Sequence, residues 1–376
     1  MITLFKLGLK FIYFFLKLLP TNKNKIVFIS RQTNYIHVDF DMIRKEIHKR
    51  NKNIKMVFLC KRMGKGLKEY IMFAFEILKQ MYHLATSKMA IIDSYCIPVC
   101  VLKHKKSLKV LQIWHSIGKI KKSGYQTLDT ESGRSKKMAE AMCMHKNYDA
   151  IVAGGHAFDK FYEEGFNVKK DVLLNYGLPR IDYIIETDKK KKKKVFDKYP
   201  ELKGKKIVYY APTFRTYDVD GPQKLLDAYN PKDFALIITC HPNQKIDVNK
   251  AGVYHLSLDD FSVADILTVS DYVIADFGSI SLEAAILKKK TLYYLYDYKE
   301  YVSKNGLNLD PKKSMKTCAF EKIEPIFDII KKDKYDIDAL NSFVNNYLPS
   351  ELGKSTELIV DYIMNHVRNE DVRWNM

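Results

Sequence analysis

From Lys25 onward, short apolar runs alternate with segments of helical character, and this alternation limits the fold more than any other feature of the sequence. Residues 26–29, 54–60, 89–92, 108–113 and 148–153 read as strands, with Met42, Ile43 and Ile47 marking one side of an intervening helix. After Arg180 and Asp182 comes a helical, lysine-rich segment, and a second series follows at 207–210, 235–239, 272–275 and 291–296. Strand–helix alternation of this kind predicts parallel sheets with helices on both faces. The length of 376 residues suits about two such units. The expected layout is a first α/β domain over 23–182, a basic connector at 183–204, a second α/β domain over 205–345 and a helical tail over 346–376.

In doubly wound sheets ligands bind beyond the carboxyl ends of the strands. Four polar clusters occupy such positions here: Gln112 with Trp114, His115, Ser116 and Gly118; Thr213 with Phe214 and Arg215; His241 with Pro242 and Asn243; and the stretch from Asp276 to Ser281. In the last, the apolar run 272–275 leads into Asp276, Gly278, Ser279 and Ser281, and then into the small and apolar residues of a buried helix. The first N–H groups of a helix have no internal partner and its dipole is positive there, so this strand, turn and helix can hold a phosphate. Gly278 admits a ligand close to the backbone, and the serines add hydroxyl donors. The alternative is a serine that only caps a helix of an ordinary α/β domain.

The net charge of +19 implies an anionic partner. Lys189–Lys194 contribute six of those charges, and the balance stays strongly positive without them, so the excess is spread along the chain. The six cysteines form no C-x-x-C pair and no metal-ligand spacing with histidine, as expected of reduced, packed thiols. Residues 1–22 are strongly apolar but interrupted by Lys6, Lys10 and Lys17, which share one narrow helical face with Tyr13. That pattern predicts a helix lying in an anionic membrane interface with its lysines at the headgroups, the alternative being a helix packed on its own domain. A signal peptide fits less well, because no small-residue cleavage site follows and Pro20 leads into a polar turn.

The chemistry these residues suit is phosphoryl-type transfer. Arginine matches phosphate oxygens with a planar fork, a helix N-terminus takes further oxygens, and a histidine near neutrality accepts the proton of an attacking hydroxyl. The sequence has no G-x-x-x-x-G-K-[ST] loop and no compact carboxylate cluster, so charge neutralisation is expected from protein groups, with no metal or cofactor.

W-H-S-I-G-K-I-K-K at 114–122, G-L-P-R-I-D at 177–182, Y-A-P-T-F-R at 210–215, H-P-N at 241–243 and A-D-F-G-S-I-S-L-E at 275–283 together resemble the CDP-glycerol glycerophosphotransferase family of teichoic acid and capsule synthesis, in order and spacing from about Lys25 to Tyr301. The resemblance implies a GT-B-like fold of two Rossmann-like domains with the active site between them, working at the cytoplasmic face of the membrane. It implies a CDP-glycerol or CDP-ribitol donor and a lipid-linked saccharide or polyol-phosphate polymer as acceptor. The acceptor hydroxyl attacks the β-phosphorus and CMP leaves. His115 matches the family's proposed base. Arg215, His241, Gly278 and Ser279 fall where the pyrophosphate is held, with Thr213, Asp276 and Ser281 in the same motifs and Trp114, Ser116 and Gly118 on the acceptor side. The chain departs from the family's W-H-G-T-P, having W-H-S-I-G, and has Gly278–Ser279 where two serines are common.

Two other readings stay open on sequence alone. A GT-B glycosyltransferase would share the architecture but release a nucleoside diphosphate after attack at carbon. A basic protein held to membrane or nucleic acid by charge would depend on the lysine run and not on His115 or Arg215. Scattered basic residues and core-forming aromatics argue against nucleic acid.

Overall fold

The computed structural model describes residues 2–368 with the exception of 65, 132, 187, 240–245, 247 and 259. Its strands form two six-stranded parallel sheets. The first holds β1 (Asn22–Ser30), β2 (Lys55–Cys60), β3 (Ser87–Ile92), β4 (Lys109–Gln112), β5 (Ala150–Val152) and β6 (Leu173–Leu174) in the order β2-β1-β3-β4-β5-β6. The second holds β7 (Ile207–Tyr210), β8 (Ala235–Ile238), β9 (Val253–His255), β10 (Tyr272–Ala275), β11 (Lys290–Tyr294) and β12 (Ala319–Phe320) in the order β12-β11-β10-β7-β8-β9. Two doubly wound parallel sheets are what the alternation predicts. The strand order reverses between β1 and β3 in one sheet and between β7 and β10 in the other, and the loops leaving each such pair diverge into a crevice.

The central strands β7, β8 and β10 are buried at every position, so they read as unbroken apolar runs. The three strands absent from the sequence reading, β6, β9 and β12, are two or three residues long and lie at sheet edges, partly exposed. An edge strand pairs on one side only and needs no apolar run, so it leaves no periodic signal.

The segment read as a helical, basic connector is helical. Helices Pro179–Glu186 and Asp188–Lys198 and a 3-10 turn at Pro200–Leu202 run through it. The second of these helices packs on helix Val263–Val269, and the Lys194 amine pairs with Asp265 at 3.2 Å, which fixes this stretch to the C-terminal half.

The halves are joined closely. The chain at 120–122 lies against 306–309, with Asn308 N donating to the Ile120 carbonyl at 2.8 Å and Gln126 Nε2 to Asn308 Oδ1 at 2.8 Å. Helix Ile280–Ile286 of the second half touches helix Pro179–Glu186 of the first. Helix Ser355–Arg368 returns to the N-terminal half and packs on helix Val38–Arg50. The Asp182 carboxylate caps its start, accepting from Ser355 N at 3.1 Å and Thr356 N at 2.7 Å.

Helix Ile2–Leu16 packs on helix Leu67–Thr86 through Leu9 and Tyr13. The stripe expected to meet headgroups is partly turned inward: Tyr13 Oη hydrogen-bonds His104 Nδ1 at 2.7 Å, and the Lys6 amine donates to the Ala141 carbonyl at 2.5 Å. Leu4, Leu7, Phe11, Phe14 and Phe15 are left exposed, beside Leu67, Ile71 and Phe75 of the neighbouring helix. Among the described residues no helix is long and apolar enough to cross a membrane.

Candidate active site

Between the halves lies a cleft of about 370 Å³, walled on one side by residues 114–123 after β4 and on the other by Phe277, Gly278 and Ser279 after β10. The β4 side is built around one departure from ordinary backbone. Trp114 sits at φ +61°, a left-handed conformation that a bulky side chain adopts only when its surroundings impose it. Gln112, fully buried, imposes it here by accepting from Trp114 N at 2.8 Å and donating to the Ser94 carbonyl at 3.2 Å. The bend turns His115 back toward β3, under the Trp114 ring, with ring centroids 4.1 Å apart.

His115 Nδ1 lies 2.9 Å from the Asp93 carbonyl oxygen. A carbonyl can only accept, so Nδ1 carries the proton and the neutral ring keeps its lone pair on Nε2. Burial lowers the His115 pKa below the usual imidazole value, with the Asp93 carbonyl opposing it. The ring is therefore a neutral base at pH 7. Asp93 is itself held: its carboxylate accepts from Ser30 Oγ at 2.5 Å and lies 3.2 Å from His37 Nε2. His37 Nδ1 lies 3.4 Å from Asp39, whose other partner is the Arg180 guanidinium. Burial works against charge on His37, but Asp39 and Asp93 on either side outweigh it and raise its pKa.

On the other side, Asp276 joins the two loops of the β7/β10 switch point. Its carboxylate, 1% exposed, accepts from Thr213 N at 2.9 Å, Thr213 Oγ1 at 2.5 Å and Phe277 N at 2.6 Å. The next two N–H groups, of Gly278 and Ser279, find no acceptor among the described residues and border the cleft. Helix Ile280–Ile286 is only seven residues long, so these separate N–H groups count for more than a macrodipole. A Cβ on Gly278 would lie 3.0 Å from Thr213 Oγ1, so the glycine lets the two loops meet.

Arg215 lies beneath the cleft and not on its wall. Only 6% exposed, it forms a two-pronged pair with Asp297 at 2.6 and 3.0 Å, donates to the Thr213 carbonyl at 2.7 Å and pairs with Asp276 at 3.1 Å. Tyr301 stacks beneath its guanidinium at 4.4 Å. Its charge is spent on holding the Asp276 hub. Ser281 is buried as well and donates to the Gly278 carbonyl at 3.1 Å, shaping the turn from below.

Two cations outside the expected set border the cleft. Lys119 is 2% exposed and has no carboxylate within 4 Å among the described residues; Ser123 Oγ accepts from it at 2.6 Å, and burial lowers its pKa to about 8. Lys121 projects toward the second half, its amine 5.4 Å from the Tyr301 ring centre. Among the described residues no group of three His, Cys, Asp or Glu side chains is placed to hold a metal ion.

A proton acceptor and two cations on one half face two free N–H donors on the other, an arrangement chemically suited to attack on a phosphate. Over residues 11–365 the sequence matches the family described as CDP-glycerol:poly(glycerophosphate) glycerophosphotransferase. The chain belongs to that family. It is 29% identical over 368 residues to a teichoic acid poly(ribitol-phosphate) polymerase of Bacillus spizizenii, an alignment covering 94% of this chain and 58% of the polymerase. It is 28% identical to the teichoic acid ribitol-phosphate primase of the same species, with 92% of each chain covered. With a teichoic acid glycerol-phosphate primase of Bacillus subtilis it shares 29% over 238 residues, 61% of each. This glycerophosphotransferase-family chain thus spans little more than half of the polymerase and nearly all of the ribitol-phosphate primase. Among solved structures it resembles the wall teichoic acid polymerase TagF in its H548A variant (TM-score 0.69, 15% identity, 93% of this chain and 90% of that one). It also resembles the UDP complex of S. aureus MnaA (TM-score 0.59, 15% identity, 92% and 97%). The fold is GT-B-like.

Of the glycerophosphotransferase residues expected from the sequence, Trp114, His115, Ser116, Gly118, Gly278 and Ser279 come together on the cleft. Thr213, Asp276, Arg215 and Ser281 form the layer under it. His241 lies outside the described residues. Sequence reasoning missed His37, Asp93, Lys119, Lys121 and Asp297. Asp93 directly follows β3, so the strand-end rule could have found it. Lys119 stands inside a quoted motif but reads as one lysine of several, and only its burial distinguishes it.

Proposed function

We propose that this protein transfers an alditol phosphate from CDP-glycerol or CDP-ribitol to a hydroxyl of a lipid-linked saccharide or polyol-phosphate acceptor, releasing CMP. The observation that carries this reading is the opposition of His115, its Nε2 lone pair free, to the unpartnered Gly278 and Ser279 N–H groups across one cleft. The acceptor oxygen attacks the β-phosphorus, its proton passes to His115 Nε2, and the bond from that phosphorus to the oxygen shared with CMP breaks. The electron pair of that bond leaves on CMP, and the negative charge building on the phosphoryl oxygens and on CMP is met by the N–H pair and by Lys121. His241 is proposed, from its motif alone, as a further phosphate contact. Thr213, Asp276, Arg215 and Ser281 hold the donor loop in shape.

The exposed ridge of helices Ile2–Leu16 and Leu67–Thr86 supports a peripheral seat on an anionic membrane at the cytoplasmic side, where a lipid-linked acceptor is presented. Charge draws the chain to the surface and the ridge enters the interface.

CMP release is the direct test. Purified protein with a lipid-linked disaccharide analogue is expected to release CMP from one of the two donors, dependent on acceptor, and His115→Ala is expected to lose at least a hundredfold in rate. Equal rates in wild type and variant, or a nucleoside diphosphate product from a nucleotide sugar, overturn the reading.

A further inference from the structure

A second cleft, of about 280 Å³, opens beside the first and shares Trp114, Lys121 and Ser123 with it. Its charged side chains are Lys121, Lys122 and Arg134, and no carboxylate lines it. None of the three has an ion-pair partner among the described residues, whereas some exposed lysines elsewhere do, as Lys45 with Asp41, Lys193 with Asp197 and Lys304 with Glu300. His145, also on its wall, is buried and held neutral, so it does not relieve the charge imbalance. Cations collected in a concavity without counter-charge repel one another, and an anion placed among them removes that repulsion.

The walls specify more than charge. The Arg134 guanidinium lies 5.4 Å above the Tyr95 ring, and the Tyr95 hydroxyl is tied to the Met142 carbonyl at 2.8 Å, so the aromatic floor is fixed. Trp114 stands between the two clefts with His115 stacked against it. An anion in the second cleft therefore has its neighbouring atoms at the Trp114 edge, next to the base. Asn305 brings the C-terminal half into the wall, so the cleft exists only with the halves together.

We infer that this second cleft is the seat of the acceptor's phosphate: Lys122, Arg134 and Lys121 hold a phosphodiester or diphosphate so that the hydroxyl next to it reaches His115. The assignment rests on the transferase reading above and gives the acceptor its own subsite, distinct from the donor's at Gly278 and Ser279. The shared chemistry is phosphate, supplied either by a polyol-phosphate chain or by a lipid diphosphate.

Lys122 and Arg134 are exposed, so Lys122→Gln, Arg134→Gln and the double variant should fold as wild type does. Calorimetric titration with a synthetic glycerol-phosphate trimer and with a short-chain lipid-diphosphate disaccharide separates the two sources, and the same disaccharide on a neutral alkyl chain is the control. The double variant is expected to bind the phosphate probe that wild type prefers at least tenfold more weakly, with a shallower dependence on salt. Binding of the neutral probe, and the rise in Tm caused by CDP-glycerol or CDP-ribitol, should stay unchanged. Equal loss for the neutral probe, an equal loss of donor binding, or unchanged phosphate binding in the double variant overturns the assignment. If wild type binds neither phosphate probe while a donor still raises its Tm, the subsite is wrong and the transferase reading stands. If no donor raises Tm either, both fall together.

Discussion

Asp93 serves two histidines at once. Its carbonyl sets the tautomer of His115 and its carboxylate faces His37. The reactive ring is thus backed by a buried ion pair, and two outcomes follow at this scale. Burial lowers the His115 pKa, so its base form persists below the ordinary imidazole range. The acid limb of kcat/KM against pH should therefore have its inflection below about 6.5; an inflection above that value contradicts the assignment of His115 as base. His37→Gln removes a cation that also disfavours charge on His115, and the inflection should move upward. The same variant loses stability in a pH-dependent way. A group whose pKa is raised by folding contributes fully below its unfolded value and loses that contribution as pH climbs through the folded one. The Tm deficit of His37→Gln should be larger at pH 6 than at pH 9, with a cost of about 3 kcal/mol at the lower pH. His115 was legible because a histidine at a strand end is a recognisable signal. Arg215 was legible as a strand-end cation, but not as one already neutralised, because Asp276 and Asp297 reach it from loops 61 and 82 residues further on, and that meeting is tertiary.

Among elements, the strands buried on both faces could be read directly, since burial on two sides leaves an uninterrupted apolar run. The first helix shows what periodicity leaves open. The stripe of Lys6, Lys10, Tyr13 and Lys17 follows from spacing, yet which stripe faces the protein depends on what waits there. A histidine ring and a free carbonyl draw Tyr13 and Lys6 inward and turn the phenylalanines out. Helix Leu67–Thr86 extends that apolar surface, a pairing set by packing and not by either segment alone. Phe11→Asp combined with Phe75→Asp should lower sedimentation with anionic vesicles at least tenfold and leave Tm within a degree or two, because both rings are exposed. Unchanged vesicle binding in that double variant would show that charge alone carries the attachment.

For the molecule as a whole, the site exists because two sheets meet. Gly118 sits at a tight place between them: a Cβ there would come within 2.5 Å of the Phe158 ring in its own half and 2.8 Å of Leu282 in the other. Gly118→Ala should push the halves apart, costing about 1–3 kcal/mol and reducing turnover by more than that stability loss explains, while CDP-alditol binding changes little; turnover equal to wild type would show that the gap between the halves tolerates widening. The chain ends its described course on the half where it began. Helix Ser355–Arg368 covers helix Val38–Arg50, with Arg50 paired to Asp361 across 311 residues of sequence. On a ribosome adding 5–20 residues per second, that covering helix is made on the order of 15–60 s after the surface it protects. The first half therefore emerges with an apolar flank uncovered and waits, through synthesis of the second sheet, for the helix that covers it. The first half is completed only after the second sheet has been made, and a chain halted before residue 355 carries both strand sets without the helix that covers helix Val38–Arg50.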